Sequence, residues 1–189
     1  MTQQGKNAID LVLAESLIEL SAKKPIDKIT IKEITDKAGV IRPTFYNHFQ
    51  DKYELIEWII KSELLEPIKP LLNAGMIFEA IVLMLNNISA NSVFYKKALK
   101  LEGAVTFNQI AMKCVYEMFM NIINEKSTGK KSKYRWLTPE VISTYYAQSL
   151  CFITEGWIDQ GMDDIEPKEM AEAYMYLITR SMDDILSEL

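Results

Sequence analysis

Two short helices must meet at a glycine between residues 30 and 49, and that arrangement constrains this chain more than any other feature. Thr30-Ile31-Lys32-Glu33 has the form of a capping box, in which the Thr30 hydroxyl accepts the amide proton of residue 33 and the Glu33 carboxylate reaches back to the amide of residue 30. Gly39 closes this helix, because a residue without a Cβ takes up the backbone conformation that a sharp turn needs. Arg42-Pro43 opens the next one, since the N–H that proline lacks would have had no partner in a first turn. Ile31, Ile34 and Ala38 supply the inner face of one helix, and Val40, Phe45 and Phe49 that of the other. The spacing predicts a helix-turn-helix whose second helix turns Arg42, Pro43, Thr44, Asn47 and His48 outward, flanked by Tyr46 and Lys52.

The rest of the chain keeps the same periodicity. Apolar residues recur at intervals of three and four along almost all of the 189 residues, and no stretch alternates like a strand, so the fold is expected to be all-α. Ile9, Leu13, Leu17 and Leu20 form the stripe of a first helix that ends near Lys23-Lys24-Pro25. Asp51 caps a helix carrying Leu55, Ile56, Ile59 and Ile60, and Pro67 and Pro70 are expected to end it. A boundary there divides an N-terminal unit of residues 1–50, with a connecting helix over 51–66, from a second helical unit over 67–189. In the second unit Ile77, Ile81, Met84, Leu85 and Ile88 make a stripe, the segment 104–123 is apolar on more than one face, and Thr138-Pro139 opens a long helix. A last helix is expected from Pro167 to about Leu186. Lys126, Lys130, Lys131, Lys133 and Arg135 make a basic connector.

Composition excludes several classes. With 49% hydrophobic and 25% charged residues, and only 7 Gly and 6 Pro, the chain is an ordinary globular sequence. Its net charge is -5, and residues 1–52 hold 8 Lys and Arg against 7 Asp and Glu, so bulk charge does not point to nucleic acid. Cys114 and Cys151 lack CxxC spacing and sit in apolar helical patterns, which predicts buried free thiols, no metal site and a reducing compartment. The first residues lack the apolar run of a signal peptide, and no segment approaches the roughly 18 apolar residues of a membrane span. A cytoplasmic protein with no cofactor is expected.

Residues 30–52 resemble the DNA-binding signature of the TetR family of bacterial regulators. The matching elements are Ala38-Gly39-Val40, Thr44-Phe45-Tyr46, His48-Phe49, and Lys52 followed by Leu55. This resemblance implies double-stranded DNA carrying a palindromic operator as the partner. It implies Lys32 and Arg42 on base edges, where arginine can pair bidentately with guanine. Thr44, Tyr46, His48 and Lys52 fall where the family contacts phosphates, with Pro43 and Asn47 on the same face. For any one of these residues an exposed helical position is explanation enough; their shared spacing carries the reading. Position 41, where the family often has a small polar cap, is Ile, which removes a stabilisation of roughly 1 kcal/mol and predicts a helix that orders fully on DNA.

The family pairs this unit with an effector and dimerisation domain. Phe94, Tyr95, Phe107, Met112, Tyr116, Phe119, Tyr145, Phe152 and Trp157 are candidates for the lining of an effector cavity, though aromatics at helical spacing also simply pack. Tyr145, Ser149, Ile153, Tyr174, Ile178 and Ile185, on the two last long helices, are candidates for a homodimer contact. Asn91-Ser-Val-Phe-Tyr-Lys, Glu102-Gly103 and Tyr145-Tyr146-Ala147 resemble a subfamily that includes a dihydroxyacetone kinase activator. That likeness leaves open a small-molecule effector or a partner protein, and repression or activation. An enzyme is the weaker reading, because no GxSxG, Walker loop, HExxH or Cys-His arrangement is present. A helical interaction module without DNA binding is the remaining alternative.

Overall fold

The computed structural model describes residues 3–103, 105–126 and 132–188, and the regular structure among them is helical, with no β-strand. Helix α1 runs over Gln3–Ser21, followed by a 3-10 turn at Ile26–Lys28, α2 at Ile31–Ala38 and α3 at Arg42–Tyr46. Next come α4 at Lys52–Ile59, a π-helical segment at Ile60–Leu65 and α5 at Glu66–Asn73. Beyond these lie α6 (Ile77–Ala90), α7 (Ser92–Ala98), α8 (Phe107–Lys126), α9 (Pro139–Asp159), α10 (Pro167–Thr179) and α11 (Met182–Ser187).

Local chemistry sets these boundaries. The capping box at α2 forms as expected, with the Glu33 amide donating to Thr30 Oγ1 at 3.3 Å and the Thr30 amide donating to Glu33 Oε2 at 2.9 Å. Gly39 takes φ 69°, and the Val40 amide then donates to the Thr35 carbonyl at 3.0 Å, which closes the end of α2. Asp51 Oδ1 accepts from the amides of Tyr53 (2.8 Å) and Glu54 (2.9 Å) and so starts α4. Leu13, Leu17, Ile26, Ile29, Ile34, Phe45 and Leu55 are fully buried and form the core between α1, α2, α3 and α4.

Three expectations change. Pro67 and Pro70 do not stop the helix that starts at Asp51: the π segment leads into α5, which carries Pro67 in its first turn and Pro70 within it. Pro67 has no N–H to offer the carbonyl of Glu63, and Asn87 Nδ2 from α6 donates to that oxygen instead, at 2.8 Å. The last helix is two helices. Arg180 is extended, and Ser181 restarts the chain with its own capping box to Asp184, because serine at that point competes for the backbone amides. Ile77 opens the α6 stripe in the sequence but is exposed, while Ile81, Met84, Leu85 and Ile88 are buried.

Helix α8 packs along α9, and α10 and α5 both pack on α6. Among the described residues no single helix is long and apolar enough to cross a membrane. Helices α6 and α7 together have the length and composition, but they bend by 88° and bury Ile81, Leu85, Phe94 and Tyr95 in the core. Cys114 and Cys151 are buried free thiols, and burial pushes each up to about 12. Of the basic connector, Lys130 and Lys131 lie outside the described residues, Lys133 and Arg135 are exposed, and Lys126 Nζ donates to the Leu72 carbonyl at 2.8 Å.

Candidate nucleic-acid interface

Phe45 is the fixed point of α3. Its ring is fully buried and meets Phe49 at 5.9 Å, so the five-residue helix has its inner side set by core packing and its outer side left to solvent. Removing such a ring costs roughly 3–5 kcal/mol. Arg42, Pro43, Tyr46 and Asn47 are exposed together, and Thr44 is half-buried beside them. Arg42 Nη2 donates to the Tyr46 hydroxyl at 3.2 Å with its guanidinium 5.9 Å from the ring centre, which holds two outward side chains as one unit. Ile41 is exposed and gives α3 no side-chain cap, yet the helix is formed: Thr44 N donates to the Ile41 carbonyl at 2.9 Å and Pro43 needs no donor partner. Lys32, on α2, is exposed and paired with Asp36 at 2.8 Å. That hydrogen bond raises the pKa of Lys32 and must be exchanged when the side chain takes another partner.

Two expected contact residues are placed differently. The His48 side chain is only 1% exposed and its Nδ1 lies 2.6 Å from Asp10 Oδ1 of α1. Position 48 is three residues beyond Phe45 and therefore shares its inward face, so His48 does not point outward with Asn47. Lys52 has all three ammonium donors engaged, with the carbonyls of Ile26 (3.0 Å), Asp27 (2.7 Å) and Ile29 (3.2 Å). Burial lowers its pKa, and the side chain ties the 3-10 turn to the start of α4. Asp10 carried a signal that went unused: it lies three, four and seven residues before Leu13, Ala14 and Leu17, on the buried face of α1.

An ion-pair cluster joins α4 to α8. Glu57 binds Lys61 at 2.7 Å and Lys113 at 2.8 Å, and Lys61 also reaches Glu117 at 2.8 Å. Burial opposes charge on both Glu57 and Lys61, but hydrogen bonds prevail: those from Lys113 and Lys61 hold the Glu57 carboxyl below its ordinary value, and those to Glu117 and Glu57 raise the Lys61 ammonium. Only a long-range view shows this cluster, because the π segment, α5, α6 and α7 lie between Glu57 and Lys113 in the sequence.

The candidate effector residues scatter. An apolar cavity of about 50 Å³ lies between the π segment, α6, α7, α8 and α9, and of the nine candidates Tyr95 and Phe107 line it. Phe94 and Trp157 are core residues, with Trp157 Nε1 donating to the Ile165 carbonyl at 2.9 Å. Tyr116 and Phe119 are partly buried against the core, and Met112 lies in a shallow groove next to Phe152. Tyr145 and Phe152 are 60% and 75% exposed on one face of α9, and Phe152 shares an open groove with Trp157. Of the dimer candidates, Tyr145 is exposed, Ser149, Ile153, Ile178 and Ile185 are half-buried, and Tyr174 is a core residue at 3% exposure. Leu177, Met182 and Leu186 are exposed apolar residues that helical spacing alone did not single out.

Comparison with known proteins matches this organisation. Residues 15–59 match the profile of bacterial regulatory proteins of the TetR family, and residues 76–180 match a transcriptional regulator C-terminal region. The chain is 26% identical over 152 residues to the HTH-type dhaKLM operon transcriptional activator DhaS of Lactococcus lactis, covering 79% of each chain. A solved dihydroxyacetone kinase operon activator DhaS superposes with TM-score 0.63 at 21% identity, covering 90% of this chain and 93% of that one. NalD, the secondary repressor of the MexAB-OprM multidrug efflux pump in Pseudomonas aeruginosa, superposes with TM-score 0.59 at 12% identity, over 92% and 96% of the two chains. With the C-terminal match spanning more than half of its length and the helix-turn-helix ahead of it, the chain belongs to the TetR family of DNA-binding transcriptional regulators.

Proposed function

We propose that this regulator binds a palindromic operator as a homodimer, and that a signal received by its C-terminal unit changes operator affinity. The observation that carries the reading is the exposed face of α3, Arg42, Pro43, Tyr46 and Asn47, held from behind by buried Phe45. In this reading residues 1–50 contact DNA, 51–66 connect, and 67–189 receive the signal and dimerise. Arg42 and Lys32 meet base edges; Thr44, Tyr46 and Asn47 meet phosphates and fix register. His48 and Lys52 act from inside, by positioning the reading helix. A single recognition helix covers one half-site, and two copies are needed to reach half-sites about 34–36 Å apart. The exposed Tyr145 and Phe152 on α9 and Leu177 on α10 supply apolar surface for that contact. A DNA target implies a cytoplasmic protein.

Repression is the main reading, since two recognition units seated on an operator exclude other proteins from it. Activation is favoured by a separate observation, the activator role printed in the name of the relative that is 26% identical. The small cavity in the C-terminal unit leaves room for a compact effector or for control by a partner protein at the surface.

Fluorescence anisotropy with DNA from the protein's own upstream region, against a scrambled duplex, tests the base-reading role. Arg42→Ala should lose roughly 1–3 kcal/mol on the operator and much less on the scrambled sequence. Equal losses on both would remove Arg42 from base reading.

A further inference from the structure

We infer that Ile41 reads sequence as well as Arg42: its side chain packs on the 5-methyl group of a thymine in the base pair next to the guanine that Arg42 meets. This inference rests on the regulator reading of α3. Ile41 is 69% exposed, more than any other large apolar residue described in the N-terminal unit, where Leu11 and Tyr46 follow at 50%. Its backbone is extended, with φ -87° and ψ 153°, and in extended chain successive side chains point to opposite sides. Val40 is partly buried against the core, which turns Ile41 outward. The position has a cost. Isoleucine has no oxygen to accept an amide proton, so α3 starts without the side-chain cap that Ser, Thr, Asp or Asn would supply. What it offers instead is a stiff, β-branched apolar surface with few rotamers to lose when it is covered.

DNA offers one partner for such a surface. In the major groove the edges of guanine, cytosine and adenine carry hydrogen-bonding groups, and thymine alone adds a methyl. A phosphate is the wrong neighbour, since an apolar side chain set against it displaces water and returns no donor. The first residues of a recognition helix are those that approach base edges, and Ile41 immediately precedes Arg42, the first residue of α3. Consecutive Cα atoms lie about 3.8 Å apart, against about 3.4 Å between neighbouring bases of one strand, so the two residues span adjacent base pairs. Arg42 is steadied by the Tyr46 hydroxyl at 3.2 Å, which leaves the next base edge to Ile41. Charge gives this contact weight. Residues 1–52 hold 8 Lys and Arg against 7 Asp and Glu, so attraction to phosphates is weak, and contacts that salt does not screen must supply more of the operator preference.

The probe is duplex DNA from the region upstream of the protein's own gene, with each thymine replaced in turn by deoxyuridine, which removes the methyl and leaves the base pairing unchanged. For the wild type, one thymine beside a guanine in each half-site should matter. Its replacement should weaken binding about fourfold, the worth of one buried methyl group, and about fifteenfold when both half-sites carry it. Ile41→Ser removes the apolar contact and supplies a capping hydroxyl, so α3 stays formed, which thermal denaturation checks. This variant should bind the thymine and deoxyuridine duplexes equally, and its affinity for scrambled DNA should match that of the wild type. Ile41→Val should keep part of the difference, and Arg42→Ala should keep it while binding the operator more weakly. If no replacement weakens the wild type, or if Ile41→Ser keeps the full penalty, the assignment is overturned. Operator preference that persists in either case discards the role of Ile41 alone, whereas equal wild-type affinity for upstream and scrambled DNA discards the regulator reading and the role of Ile41 with it.

Discussion

His48 Nδ1 lies 2.6 Å from Asp10 Oδ1, and this buried contact joins the turn after α3 to α1 across 38 residues of sequence. A carboxylate only accepts, so the bond places a proton on Nδ1 and fixes the ring's orientation. The bond ties the turn after α3 to α1, and in the proposed reading His48 acts by positioning α3.

Asp10→Ala should therefore destabilise the fold by about 1–3 kcal/mol, the cost of leaving a buried donor without its partner. Asp10→Asn, which keeps an acceptor oxygen, should recover much of that loss. Urea denaturation of the two variants checks it, and equal losses would show that the carboxylate's charge, not its oxygen, is what matters.

Arg42 and Lys52 should separate cleanly. Arg42→Ala removes an exposed side chain and should change stability by no more than about 0.5 kcal/mol. Lys52→Ala leaves three carbonyls of the 26–29 turn without their shared donor and should cost roughly 1–2 kcal/mol while weakening binding to every DNA sequence alike. Thermal denaturation together with binding to specific and scrambled duplexes distinguishes the two.

How far these roles could be seen in advance follows from where their partners lie. The capping box at Thr30, the turn at Gly39, the proline start of α3 and the Asp51 cap are all written in residues within four positions of one another, and each formed as expected. His48 could have been placed, since its spacing from Phe45 is that of an inward residue. Lys52 could not, because its acceptors are carbonyls more than twenty residues away, and backbone atoms leave no mark in a sequence. Pro67 and Pro70 misled for a related reason: proline forbids one backbone bond, and nothing local announces that Asn87 will satisfy the freed carbonyl. The exposure of Phe152 and the burial of Tyr174 depend on which helices meet α9 and α10, information that a 3.6-residue period does not contain.

Acid should weaken the link between the turn after α1 and the start of α2. Lys24 hydrogen-bonds to Glu33 at 2.6 Å, and with the Thr30 amide and hydroxyl it holds the Glu33 carboxyl down from 4.5 to about 2. A depressed carboxyl contributes stability that is fully present above its unfolded value, here above about pH 4.5, and is lost as pH falls through about 2. Lys24→Met should flatten the stability profile in that window and leave it unchanged near neutrality apart from a constant offset. Denaturant unfolding at a series of pH values from 2 to 6 reads this; a wild-type slope in the variant would assign the acid sensitivity elsewhere.

DNase I footprinting on the DNA upstream of the protein's own gene tests the central claim most directly. Two protected half-sites related by a twofold axis, with centres about 10–10.5 base pairs apart or a multiple of that, are predicted for the wild type. For Arg42→Ala the same protection should appear only at much higher protein concentration. Uniform protection without half-sites, or a footprint that Arg42→Ala leaves unchanged, would contradict the account of α3 as the element that reads DNA.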